Sequence, residues 1–124
     1  MGSPFFTYPP VTPFDNAARC ACLAFERSGL PHDVGRRLGS LYTAAGLPFP
    51  ELMAEIPVGG PGSAITGWAV QTLRTLLPMI EQLGIATAAE IGIDTLRQRI
   101  EAEARENNAV LTGPPQFGAW ARKP

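Results

Sequence analysis

The chain has 124 residues, 45% of them apolar and 17% charged, with a net charge of −1. That length suits one domain with a modest core, and the charge is too sparse for a disordered chain. Ten Lys and Arg against eleven Asp and Glu leave no basic surplus to neutralise phosphates, which argues against a nucleic-acid partner.

Residues 1–11 read as an extended arm carrying Phe5, Phe6, Tyr8 and three prolines. Aromatic side chains on an arm are expected to dock, either on the chain's own core or as the wall of a ligand pocket or partner contact. The opening Met1-Gly2-Ser3-Pro4 lacks the charged and apolar regions of a signal peptide, and no run approaches a membrane span. The expectation is a cytoplasmic chain with no membrane partner.

Residues 12–124 read as the folded domain. Thr12 as N-cap, Pro13 at the first position and Asp15 at the third predict a helix start. That helix runs to Ser28 with Phe14, Ala17, Ala18, Ala21 and Phe25 on one face, and Gly29 ends it. Cys20 and Cys22 within it fall on different faces, so they do not suit a mutual disulfide. With a single histidine, His32, no ligand cluster for a metal can be drawn. His32 reads as a loop residue rather than a base. A second helix follows Asp33, with Val34, Leu38, Leu41 and Ala45 inward and Arg36 and Arg37 on the solvent side or contacting an anion.

After the linker Leu47–Pro50, Glu51–Val58 alternates as a strand, with Leu52, Ala54, Ile56 and Val58 on its buried face. Pro57 marks an edge or an early exit. The break Gly59-Gly60-Pro61-Gly62 is not a phosphate loop, because no Lys-Ser/Thr follows and no dinucleotide fingerprint fits. Ser63 is expected to cap the longest helix. Its wide apolar face runs through Ile65, Trp68, Ala69, Thr72, Leu73, Leu76, Leu77, Ile80 and Leu83, it should kink at Pro78, and it stops at Gly84. Thr87 to Glu90 is a capping box opening a short helix. Asp94 is expected to cap a last helix with Leu96, Ile100 and Ala104 inward and mixed charge outward, ended by Asn107-Asn108. Two apolar runs, Ala109–Thr112 and Phe117–Ala121, flank Gly113-Pro114-Pro115. This reads as a hairpin with Gly113 free to take the positive φ of the reversal. The remaining strand, Glu51–Val58, should pack on that hairpin.

Three stretches carry a resemblance. Gly35–Gly60 (GRRLGSLYTAAGLPFPELMAEIPVGG) resembles the helix-then-strand unit leading into the fifth strand of class I S-adenosylmethionine-dependent methyltransferases. Val110–Pro124 (VLTGPPQFGAWARKP) is similar to the closing hairpin of bacterial, small-molecule members. Tyr8–Phe14 (YPPVTPF) resembles the segment after their fourth strand. The resemblance spans about Tyr8 to Pro124. It implies an α+β half of a Rossmann-like fold, with a small three-stranded mixed sheet ending in an antiparallel hairpin and packed by four to five helices.

The family's glycine-rich turn and ribose-binding acidic residue belong to its first half, and neither is drawn here. The resemblance therefore implies the substrate-covering half alone. S-adenosylmethionine would bind only if the other half were supplied, and no cofactor or catalytic residue is carried over. On the matching positions, Tyr8, Pro9, Phe14, Tyr42 and Trp68 are the candidate pocket residues. Phe14 and Trp68 also fall on apolar helical stripes and suit the core. An open apolar strand edge would recruit a second copy or a chain carrying the missing half. A ligand-binding or dimerisation module derived from that fold is the other reading. A hydrolase lacks its cluster.

Overall fold

The computed structural model describes residues 5–30 and 33–124. In chain order the elements are β1 (Phe6–Tyr8), α1 (Thr12–Ser28), α2 (Val34–Ala44), β2 (Glu51–Glu55), β3 (Val58–Gly59), α3 (Ala64–Gln82), α4 (Ala88–Ile91), α5 (Ile93–Asn107), β4 (Val110–Thr112) and β5 (Gln116–Trp120). The fold is α+β, with two small antiparallel sheets. The mixed sheet of the sequence reading is therefore corrected: every pairing is antiparallel.

The closing hairpin is corrected too. β4 and β5 do not pair with each other; β4 lies between β1 and β3, and β5 pairs with β2. Glu51–Gly59 and Val110–Trp120 run side by side as one bent antiparallel ladder. Glu55 faces Gln116, whereas Val58 faces Thr112. Two residues, Ile56 and Pro57, thus oppose three, Gly113 to Pro115. The Gly-Pro-Pro break is a bulge that bends the ladder, not a reversal. Gly113 is not in the left-handed region. It is buried, and a Cβ there would stand 2.6 Å from the Trp68 ring and 2.9 Å from Pro57. Its N–H donates to the Pro57 carbonyl at 2.9 Å. Close approach, not positive φ, requires glycine.

The core lies where α1, α3 and α5 meet the three-stranded sheet. Phe14, Leu73, Ile80, Leu96, Ile100 and Leu111 are its largest fully buried side chains. On α5 the expected face holds, with Leu96, Ile100 and Ala104 buried; on α1 Phe14, Ala17, Ala18 and Ala21 are buried as expected, but Phe25 is only half-buried and Ala24 is buried instead. On α3, Ile65, Leu73 and Ile80 go inward as expected, joined by Thr66 and Val70. The helix continues through Pro78.

The caps differ from expectation. Val11, not Thr12, precedes α1, and no side chain caps it. Instead the Glu103 carboxylate accepts from the Thr12 N–H. Gly92, at φ 66°, rather than Asp94, precedes α5. Ser63 stands at the N-cap of α3, but its hydroxyl makes no capping bond and is buried without a hydrogen-bond partner. Thr87 does cap, accepting from the Glu90 N–H at 3.1 Å, and Asn108 supplies the left-handed stop after α5 at φ 48°.

α2 and the β2–β5 ribbon form an arm outside this core. No residue of β2 is buried, so the expected inward face of Leu52, Ala54, Ile56 and Val58 is corrected. A strand buries a face only when a second layer covers it, and α2 lies mainly over β5. α2 itself is turned from its expected orientation. Val34 and Leu41 are exposed, while Gly39 is buried. A Cβ on Gly35 would run into the Phe117 ring, and one on Gly39 would meet the Phe49 ring at 2.8 Å. Two glycines one turn apart thus let the helix backbone settle on aromatic rings.

Candidate functional site

The leading arm is fastened by a short relay. The Val11 N–H donates to Thr7 Oγ1 at 2.8 Å, and the Thr7 hydroxyl lies 3.0 Å from both oxygens of the Asp15 carboxylate. Burial pushes the Asp15 carboxyl up from its ordinary pKa, against the opposing pull of the Thr7 hydrogen bond. This clasp brings Phe5 onto the helices. Its ring meets Phe14 edge-on, with centroids 6.2 Å apart, and Trp68 at 6.1 Å. Such offset aromatic contacts add to the burial of the rings.

Phe14 and Trp68, two candidate pocket residues, are therefore brought together around Phe5. The space left beside them is lined by Phe5, Phe14, Ala17, Ala21, Ala69 and Leu73, among others, and its volume is about 10 Å³. That is room for no more than one water molecule. The arm fills this region rather than opening it to a ligand.

Tyr8 and Pro9 stand elsewhere. Tyr8 lies opposite Val110 in the β1–β4 pairing and is 78% exposed. Pro9 follows it through a cis peptide bond and is half-buried. Strand alternation puts Phe6, Tyr8, Val110, Thr112 and Val58 on one face of the three-stranded sheet, opposite Leu111, which points into the core. Phe6, Tyr8, Val58 and Val110 are all exposed; Thr112, on the middle strand between Phe6 and Val58, is buried. An apolar face on three strands is thus open. The fifth candidate, Tyr42, belongs to the arm: it is half-buried on α2, and its hydroxyl donates to the Ala119 carbonyl at 3.0 Å. Four of the five candidates thus occupy three places, namely the packed cluster (Phe14 and Trp68), the bare sheet face (Tyr8) and the ribbon (Tyr42), and Pro9 lies just past the end of β1.

A second concavity, of about 450 Å³, lies between α3 and α5 and is lined by Val70, Gln71, Arg74, Ile93, Asp94, Arg97, Gln98 and Glu101. Arg74 pairs with Asp94 at 3.7 Å. Glu101 accepts from the Gly62 N–H at 2.7 Å and faces Arg105 at 3.7 Å. Sequence reading assigned this α5 face to solvent alone and missed its structural bonds. Arg99 likewise donates to the Ile91 and Gly92 carbonyls, closing the end of α4. Only the density of Arg and Glu could have hinted at such ties.

Arg36 and Arg37 are exposed, and Arg37 faces Asp33 at 3.8 Å. Cys20 and Cys22 are half-buried, and burial pushes the Cys20 thiol up, away from thiolate chemistry. His32 lies outside the described residues. Among the described residues no three His, Cys, Asp or Glu side chains group to hold a metal ion, and no helix is long and apolar enough to cross a membrane. No protein-family model, curated protein or solved structure matches the chain.

Proposed function

We propose that this chain is the substrate-covering half of a class I S-adenosylmethionine-dependent methyltransferase, whose cofactor-holding unit is supplied by another segment or chain. The observation that carries this reading is the bare sheet face. An antiparallel sheet open to water on one side ordinarily carries polar residues there, whereas a sheet covered on both sides is apolar on both. Here α1, α3 and α5 cover one side, and the other presents Phe6 at 57%, Tyr8 at 78% and Val58 at 57% exposure. An apolar open face supports a reading in which a further layer is supplied from elsewhere. The resemblance of Tyr8–Phe14, Gly35–Gly60 and Val110–Pro124 to the family supplies the rest of the argument.

On this reading Tyr8 and Pro9 wall the methyl acceptor, and Phe14 and Trp68 brace that wall from behind through Phe5. Tyr42 fixes α2 against the ribbon at the rim. Methyl transfer needs a nucleophile held in line with the sulfonium methyl, so positioning carries most of the work and no base is assigned. The S-adenosylmethionine would supply the methyl group when bound to the completed fold.

The test is calorimetric titration with S-adenosylmethionine. The chain alone is expected not to bind. Mixed with a polypeptide carrying a glycine-rich βαβ half of a bacterial class I methyltransferase, it should form a complex that binds. Tight binding and turnover by the chain alone, or no complex with such a half, would sink the reading. Within an active complex, Tyr8→Ala should raise KM for the acceptor and leave the melting temperature of the chain unchanged. The second reading, a non-catalytic dimerisation or ligand-binding module, is favoured by the open edge of β2. A neighbouring reading frame encoding the glycine-rich unit would speak for the first reading; its absence would speak for the second.

A further inference from the structure

We infer that β2 pairs edge to edge with β2 of a second copy of this chain, about a two-fold axis at Ala54. The two ribbons then join into a four-stranded antiparallel sheet. This inference does not rest on the methyltransferase reading.

The area comes first. The chain exposes 7787 Å². A folded protein of 13.2 kDa is expected to expose about 6400 Å². Part of the surplus over that figure lies on the α2–ribbon arm, where Leu52, Met53, Ile56, Phe117 and Trp120 are each more than a third exposed.

The direction of the backbone groups says which edge is open. In an antiparallel strand, the N–H and C=O of one residue point to one side and those of the next to the other. The Pro57 carbonyl accepts from Gly113, so Pro57 faces its neighbour strand. By alternation Ile56, Ala54 and Leu52 present their N–H and C=O outward. A second observation agrees. Ala119, the register partner of Leu52, has its carbonyl bonded to the Tyr42 hydroxyl, so it too points away from the ladder. Tyr42 therefore guards the outer edge of β5. Among the described residues nothing guards β2, which has β5 as its one strand partner and is exposed from Glu51 to Glu55.

Charge sets the register. A two-fold at Met53 would set Glu51 against Glu55 of the other copy, twice, and facing like charges destabilise a sheet. A two-fold at Ala54 sets Leu52 against Ile56 and Met53 against Glu55, with no like charges facing. Leu52 and Ile56 are 46% and 56% exposed in the single chain, and each gains an apolar neighbour. The same operator brings the outward groups of Leu52, Ala54 and Ile56 opposite one another.

The helices permit it. The two β5 strands would stand three strand spacings apart, about 14 Å. Each α2 lies over its own β5, and helices need only about 8–10 Å between axes. The contact is isologous, so it closes at two copies.

Light scattering after size exclusion, at about 50 µM, should give twice the 13.2 kDa chain mass. Leu52→Lys and Ile56→Lys, each at an exposed position, should give monomers with the circular dichroism spectrum of the parent. Either one serves if the other fails to fold. Met53→Lys fixes the register. At the Ala54 axis it sets two Lys against two Glu55 carboxylates and should tighten the dimer by roughly three- to tenfold, the usual scale of two facing charge pairs. A monomeric parent, a larger open assembly, a dimer indifferent to Leu52→Lys and Ile56→Lys, or a dimer weakened by Met53→Lys would each overturn the inference.

Discussion

The helical body and the α2–ribbon arm are cut from the same kind of sequence and meet opposite fates. Leu73, Ile80, Leu96, Ile100 and Leu111 are all at or near zero exposure in the body. In the arm Val34, Leu41, Phe49, Leu52, Met53, Phe117 and Trp120 are equally apolar, and each is more than a third exposed. No buried apolar side chain of the chain lies in α2, β2 or β5. The difference is geometrical. In the body a helix face meets other helices and a sheet, so each apolar side chain is enclosed. In the arm one helix rests on two strands, and apolar character is left facing out. Hydrophobicity drives burial only where a second layer exists to receive it.

That contrast can be broken by cutting one apolar side chain on each side of it. Ile100→Ala should cost about 2–5 kcal/mol, because it leaves a cavity in a closed core. Leu52→Ala, at a position already half in water, should cost the monomer no more than about 0.5 kcal/mol. Urea unfolding of both variants, in the monomeric Ile56→Lys background, measures the pair. Equal costs would mean that the arm is packed as tightly as the body.

The glycines sharpen the same comparison. Gly113→Ala drives a methyl into the Trp68 ring and Pro57 where body and ladder meet, and overpacking of that kind costs about 1–3 kcal/mol. It should lower the global melting temperature. Gly35→Ala forces the Phe117 ring aside instead. Its effect should stay local: faster amide exchange across α2, with α1, α3 and α5 protected as before, since the arm opens as its own unit. Exchange that rises equally in both regions would show them to be one cooperative unit. A smaller effect of the same kind is expected from Tyr42→Phe, which removes the bond to Ala119 and should weaken the arm by about 0.5–1.5 kcal/mol, toward the low end because the hydroxyl is only part-buried.

The body was legible in the sequence and the arm was not, for the same geometrical reason. Leu96, Ile100 and Ala104 repeat at helical spacing, and the core receives them; the same is true of Phe14, Ala17, Ala18 and Ala21. On α2 the spacing of Val34, Leu38 and Leu41 points to one face, yet Gly35 and Gly39 decide the packing by admitting Phe117 and Phe49. Hydropathy says nothing about close approach. That Glu51–Val58 belongs with the closing strands could be read, but the Gly-Pro-Pro break reads as a turn, and the same residues suit a bulge. Only the register, Glu55 with Gln116 and Val58 with Thr112, distinguishes them. Of the candidate pocket residues, Phe14 and Trp68 sat on stripes that announced the core. The separation of Tyr8 from Tyr42 depends on which strands pair, and that is a long-range fact that local pattern does not hold. Thr7 gave no signal at all, because its two bonds belong to a fold of the arm that no motif describes.

The Thr7–Asp15 clasp offers the smallest test, and a signed one. Burial raises the Asp15 carboxyl above its ordinary pKa, while Thr7 opposes the shift. A carboxyl with a raised folded pKa adds stability that is fully present below its unfolded pKa and lost as pH rises through the folded value. The window opens near pH ~4, the ordinary aspartate range, and extends upward from there. Asp15→Asn keeps the shape, can still accept from Thr7, and has no charge to bury. Thermal melts of parent and variant should therefore converge at pH ~3.5, with the variant gaining on the parent as pH rises toward neutrality. The reverse slope, with the parent gaining as pH rises, would mean that the Thr7 hydroxyl stabilises the carboxylate by more than burial costs it. The clasp would then hold the arm more firmly at neutral pH than at acid pH, and Phe5 would leave Phe14 and Trp68 first on acidification.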